Sequence, residues 1–246
     1  LPAQPVNKKN DMTAKEIMTE LKSLGDPGIK KILLKHGVKE PFFGVKVEHL
    51  KNIQKKVKKD YQLAKDLYAT GNADAMYLAG LIADDEKMTR KDLEAWVKAA
   101  LSKNIGEYTV PWVASGSKYG NELALEWIDA PEEHIAAAGW ATLCGLVSLK
   151  PDSELNIPSL KALLARVAKT IHKADNSVRS QMNNFMIAVG AYVAPLSDEA
   201  IATAKKVGVV IVDKGDTACK VPDAIEYINK SKARGSLGKK KKTVRC

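Results

Sequence analysis

Apolar residues recur at helical spacing through almost the whole chain, and nothing else in the sequence constrains the fold as tightly. After Thr89, the residues Leu93, Trp96, Val97, Ala100 and Leu101 stand at i, i+3, i+4, i+7 and i+8, the stripe of an amphipathic helix. Leu160, Leu163, Leu164, Val167, Ala168 and Ile171 repeat the pattern, as do Val178, Met182, Phe185, Met186 and Val189. Thr13 and Glu16 form a capping box ahead of Ile17, Leu21 and Leu24, and Gly25 stops that helix. Ser197 starts another, which closes on Lys205, Lys206 and Gly208, a cationic last turn with a C-cap glycine.

The breaks between stripes are short: LGDPG, KEPFFG, ATGNA, IDAPEE, APLS. Many helices joined by short turns, with no alternating strands before residue 207, predict an all-α fold. Helix pairs recur at roughly 35–45 residues, the spacing of HEAT-like repeats. The units share little sequence, so periodicity alone leaves a compact bundle open beside a solenoid. VGVVIVD (207–213) is the one strand-like run and is expected to form an extended arm on the body. The expected organisation is a flexible leader over 1–11, a helical-repeat domain over 12–207, an arm with a short helix over 208–233 and a basic tail over 234–246.

With 246 residues, 45% of them apolar, the chain can bury a sizeable core. No run of about 18 apolar residues offers a membrane span, and LPAQPVNKKNDM has no apolar stretch of a secretion signal. Cys144, Cys219 and Cys246 are odd in number and lack CxxC spacing, which predicts reduced thiols and a cytoplasmic setting. The net charge of +10 is concentrated at one end. From Lys230 to Cys246 there are eight cations and no acid, which leaves 31 basic against 29 acidic residues elsewhere. Such an end implies an anionic partner, nucleic acid first, or else only a solvated tail.

Metal and triad chemistry find little support. His36, His49, His134 and His172 are scattered, and no GxxxxGK[ST], GxSxG or strand-linked GxGxxG occurs. No metal or cofactor is expected, and Cys144 reads as packing within IAAAGWATLCGLV. The stretch PFFGVKVEHLKNIQKKVKK is more informative. Val47, Leu50, Ile53 and Val57 line one face, while Lys46, Lys51, Lys55, Lys56, Lys58 and Lys59 lie on the others and could track phosphates. A merely wet lysine face is the competing reading of that stretch.

PFFGVKVEHLKNIQKK, VRSQMNNFMIAVG (178–190) and the array of short helices resemble the HEAT-like DNA alkylation repair family, whose best-understood members are alkylpurine DNA glycosylases. The resemblance covers roughly residues 12–207, and GDTACKVPDAIEYI with GKKKKTVRC is similar to a tail found in one subgroup. It implies a C-shaped α-α superhelix whose concave basic face holds duplex DNA. In the glycosylases, an aspartate one turn after a tryptophan in a WDxxD-type stretch stabilises the cationic sugar as the alkylated base leaves.

That stretch falls on or beside GEYTV (106–110), within NIGEYTVPWVASG (104–116). By the resemblance Gly106 stands for the tryptophan, Glu107 for the first acid and Val110 for the catalytic aspartate. A later arginine would fall near Ala137 and is absent, while Phe185 keeps the late aromatic. The expected protein is therefore a DNA-binding member with little or no base excision. It would use Lys46, Lys51, Lys55, Lys58, Lys239, Lys240, Lys241, Lys242 and Arg245 on phosphates, with Tyr108, Trp112 and Phe185 lining the groove. It is expected to be a monomer acting on duplex, damaged or branched DNA. Two alternatives stand beside it: a glycosylase with a relocated carboxylate, for which Glu107 is the candidate, and a HEAT-type protein scaffold. Otherwise Glu107 is a first-turn charge of a helix over 107–115.

Overall fold

The computed structural model describes residues 12–215, 217 and 219–246; the expected leader over 1–11 lies outside the described residues. The chain is all-α, a HEAT-like superhelix with no strand among the described residues. The helices are α1 (Ala14–Ser23), α2 (Pro27–Lys35), α3 (Val47–Val57), α4 (Tyr61–Ala69), α5 (Ala73–Ile82), α6 (Arg90–Ala99) and α7 (Val110–Gly116). There follow α8 (Gly120–Trp127), α9 (Glu133–Leu149), α10 (Ile157–Thr170), α11 (Asn176–Tyr192), α12 (Ser197–Val207) and α13 (Ala224–Ala233). The described residues of the arm between α12 and α13 form no regular structure, and the arm is pinned to α11 at Asn176, which exchanges two hydrogen bonds with the backbone of Asp213 (2.7 and 2.8 Å).

Two layers result. Helices α5, α7, α9 and α11 stack on one another as an inner layer, and α4, α8 and α12 cover them from outside. Composition explains which helix goes where. Helices α5 (ADAMYLAGLI) and α9 (EHIAAAGWATLCGLVSL) are apolar nearly all round and rich in small residues, as a helix enclosed by neighbours must be. Helices α3 and α6 carry single stripes and lie with one face outward. The inner helices approach so closely that a Cβ on Gly80 would sit 2.4 Å from Thr109, and one on Gly145 would sit 2.6 Å from Ser115. Trp140 of α9, fully buried, meets Phe185 of α11 edge to face at 5.2 Å.

The FFGVKV turn owes its shape to a residue far away in sequence. The carboxylate of Asp74, buried in the first turn of α5, accepts from the backbone N–H groups of Phe43 (2.6 Å), Gly44 (3.0 Å) and Val45 (3.2 Å). Gly44 has φ +83°, and a side chain there would strike the Asp26 carbonyl at 2.6 Å. Burial raises the Asp74 pKa, against the pull of those three N–H groups. Asp74→Ala strands three donors at once and should cost about 3 kcal/mol in urea unfolding. A loss below about 1 kcal/mol would mean that water replaces the carboxylate.

Candidate nucleic-acid interface

Between α6 and α7 the chain forms a π-helical turn over Ile105–Thr109, closed by the Val110 N–H donating to the Ile105 carbonyl. Pro111 gives the physical reason. It has no N–H for the Glu107 carbonyl four residues back, and its ring would press on that oxygen, so the helix opens there. The expected single helix over 107–115 is thus two pieces, and Glu107 is a half-buried residue of the wide turn, not a surface charge at a helix start.

Glu107 and the half-exposed Tyr108 line a cleft of about 260 Å³ at the inner layer, with Trp112 of α7, Gln181 and Asn184 of α11, and Lys241 from the tail. Asn184 Nδ2 donates to Gln181 Oε1 (3.1 Å), and Gln181 Nε2 donates to Glu107 Oε2 (2.9 Å), a directed chain ending on the carboxylate. Burial raises the Glu107 pKa; the charges of Lys103 and Lys214 and the Gln181 bond pull it down less strongly. Tyr108 and Trp112 lie 6.2 Å apart at 52°, and Tyr77 meets Trp112 edge-on at 5.3 Å. Gln181 and Asn184 were missed in the sequence. Their signal was amides within the helix VRSQMNNFMIAVG, among its apolar residues.

The tail is a strap, not a free basic end. After α13 it turns at Gly235 and Gly238, donates from Gly238 N to the Ala191 carbonyl (2.9 Å), and from Lys241 N to the Ser148 carbonyl (2.8 Å). Lys240 Nζ pairs with Asp152 (2.8 Å) and donates to the carbonyls of Val147 (2.9 Å) and Tyr192 (2.6 Å), at the C-terminal ends of α9 and α11. Arg245 pairs with Asp85 and donates to the Ala83 carbonyl (3.1 Å) at the end of α5. Lys240 and Arg245, expected on phosphates, therefore bind helix ends and partly buried acids. Lys239, Lys241 and Lys242 remain exposed, with Lys241 Nζ 5.3 Å from the Tyr192 ring centre.

Lys46, Lys55 and Lys58 are exposed on or beside α3 and Lys51 is half-buried; none of Lys51, Lys55 and Lys58 has an ion-pair partner among the described residues. Burial raises the Asp85 pKa, and the charge of Lys59 is near enough to oppose that rise along with Arg245, so the lysines around α3 adjoin the far end of the strap. Phe185 is a correction. It is fully buried against Trp140 and lines no groove, because that side of α11 is the core-facing stripe.

With the geometry in place, the relatives bear on it directly. The family model described as “DNA alkylation repair enzyme” matches residues 17–228. The chain belongs to that family. An uncharacterized protein of Listeria innocua is 33% identical over 229 residues, covering 91% of this chain and 99% of its own. An uncharacterized protein of Listeria monocytogenes matches to the same extent. A solved structure described as “a new family of proteins related to the HEAT-like repeat DNA glycosylases with affinity for branched DNA structures” superposes with a TM-score of 0.87. It is 38% identical and covers 96% of this chain and 100% of its own.

Family membership sharpens the reading of residues 106–110. Val110, matched by resemblance to the aspartate, is fully buried and faces the core, as does Ala137 at the arginine position. The carboxylate that reaches the cleft in this member is Glu107.

Two consequences are measurable. A carboxylate whose folded pKa lies above its unfolded value contributes fully below the unfolded pKa and loses that contribution as pH rises through the folded one. Glu107→Gln should therefore raise Tm by a few degrees at pH 8 and leave it unchanged near pH 4. A variant less stable than the parent at pH 8 would contradict this. Within the strap, Arg245→Ala should cost about 3 kcal/mol and Lys240→Ala about 2 kcal/mol, since each strands an acid and one or two helix-end carbonyls. Alanine at Lys239, Lys241 or Lys242 should change stability by less than about 0.5 kcal/mol. Equal effects at all five sites in urea titrations would show that the strap is unanchored.

Proposed function

We infer that the protein binds DNA along the inner-layer cleft, gripping phosphates with the exposed lysines at its edges and carrying out little or no base excision. The observation behind this reading is the separation of roles among the tail cations. Lys240 and Arg245 are consumed by the fold, and the strap they anchor carries Lys239, Lys241 and Lys242 facing water, with Lys241 at the cleft itself. The α3 lysines extend the same charge past Asp85. Lys58, which ends α3, has φ +60° and ψ −151°, a region almost confined to glycine. Strain kept at such a position suits a side chain retained for function. The affinity of the 38% identical relative for branched DNA makes branched substrates the first to test.

Binding of this kind rests on counterion release, so affinity should fall steeply with salt. Replacing Lys239, Lys241 and Lys242 together by alanine should lower the slope of log affinity against log salt by up to about 0.9 per lost phosphate contact. Neutralising Lys51, Lys55 and Lys58 should do so independently. A slope unchanged by both triple variants, measured by anisotropy on a four-way junction and on duplex, would overturn the reading and favour a protein scaffold.

Glu107 supports a second reading, as a glycosylase with a relocated carboxylate, because it lines the cleft. Against it, Val110, which stands by resemblance where the catalytic aspartate belongs, is buried and uncharged, and Glu107 lies about one helical turn away from it. Release of methylated purines from duplex DNA is expected to be little faster with the protein than without. Fast release abolished by Glu107→Gln would establish the second reading.

A further inference from the structure

The cleft itself is built unlike a phosphate site. Beside Tyr108 and Trp112 it presents the amides of Gln181 and Asn184 and the carboxylate of Glu107, with Lys241 the one cation among its described lining residues. A carboxylate repels phosphate, so this lining does not serve the backbone of a duplex. Paired bases offer it nothing either: their stacking faces are covered by neighbours and their pairing edges are occupied. An unpaired base offers both a free face and a free edge.

We propose that this cleft holds one unpaired nucleotide at a branch point, its base stacked on Tyr108, its pairing edge on Glu107 and Asn184, and its phosphate on Lys241. The inference rests on the reading of the protein as a DNA binder and adds which part of a branch it recognises. Tyr108 is 52% exposed, enough ring for a base to cover, and it is braced from behind by Trp112. The hydrogen-bond chain from Asn184 through Gln181 fixes one carboxylate oxygen of Glu107 and so orients the group toward an incoming N–H. Guanine suits that acceptor best, since its pairing edge carries two adjacent donors, N1–H and the 2-amino group. Thymine sets two carbonyls beside its one N–H and would be repelled.

The test compares two junctions of one sequence, one fully paired and one with a single unpaired nucleotide at the branch, binding the full-length protein. The unpaired guanine junction should bind about tenfold tighter than the paired one, the scale of one base stacked on an aromatic ring. Thymine should gain several-fold less. With 2-aminopurine at that position, binding should quench its fluorescence. Tyr108→Ala should remove both the preference and the quenching, and Tyr108→Phe should keep them. Glu107→Gln should erase the difference between guanine and thymine while leaving the preference for an unpaired base. Equal affinity for the two junctions, or an equal loss on both with Tyr108→Ala, overturns this inference alone. Failure to bind either junction overturns the DNA-binding reading with it.

Discussion

Close stacking of the inner helices is the constraint on which the rest depends. At Gly80 and Gly145 the backbone of one helix lies against a side chain of the next, and α5 and α9 are thick with alanine so that neighbours can approach. Larger residues there would spread the layer and open the angle between successive pairs. Thr109, against Gly80, and Ser115, against Gly145, lie on the same short segment as Glu107 and Tyr108. The packing that closes the core therefore also sets the depth of the cleft.

Stacking has an electrostatic side effect. Helices α5, α9 and α11 all bring their C-terminal ends to the strap, at Ala83, Val147 and Tyr192. Aligned dipoles then leave unpaired carbonyls and partial negative charge along one edge, and Asp85 and Asp152 add full charges to it. Few side chains other than lysine and arginine can answer that demand. A polybasic tail is thus required by the fold before any partner is considered, and its remaining cations are carried into position by those that are spent.

Much of this was legible in the sequence and some was not, for definite reasons. The stripes placed the helices well because each period reports a buried face, and the box at Thr13 and Glu16 is present with both its hydrogen bonds. The π-turn was hidden because periodicity through residues 105–115 continues across it; Pro111 was its one local sign. Phe185 could not be assigned to core or groove from a stripe, since every inner helix has apolar residues on both sides. The run of four lysines read as uniform charge. That Lys240 points inward while Lys239, Lys241 and Lys242 point out is set by which carbonyls lie beneath them, which no local pattern records.

Glu107 is where local stability and the demands of a ligand part company in the sequence itself: an uncharged residue would sit in the half-buried turn at less cost. Natural sequences tolerate such a cost mainly where a polar group has work to do. The fold surrounds the carboxylate with groups that orient it, Gln181 by a direct bond and Lys103 and Lys214 by their charge, yet leaves it short of the close ion pair that would silence it. A residue kept for structure would be expected to find such a pair, as Asp85 does in Arg245. Held but not neutralised, the carboxylate is arranged as an acceptor for a hydrogen-bond donor that comes from outside the chain.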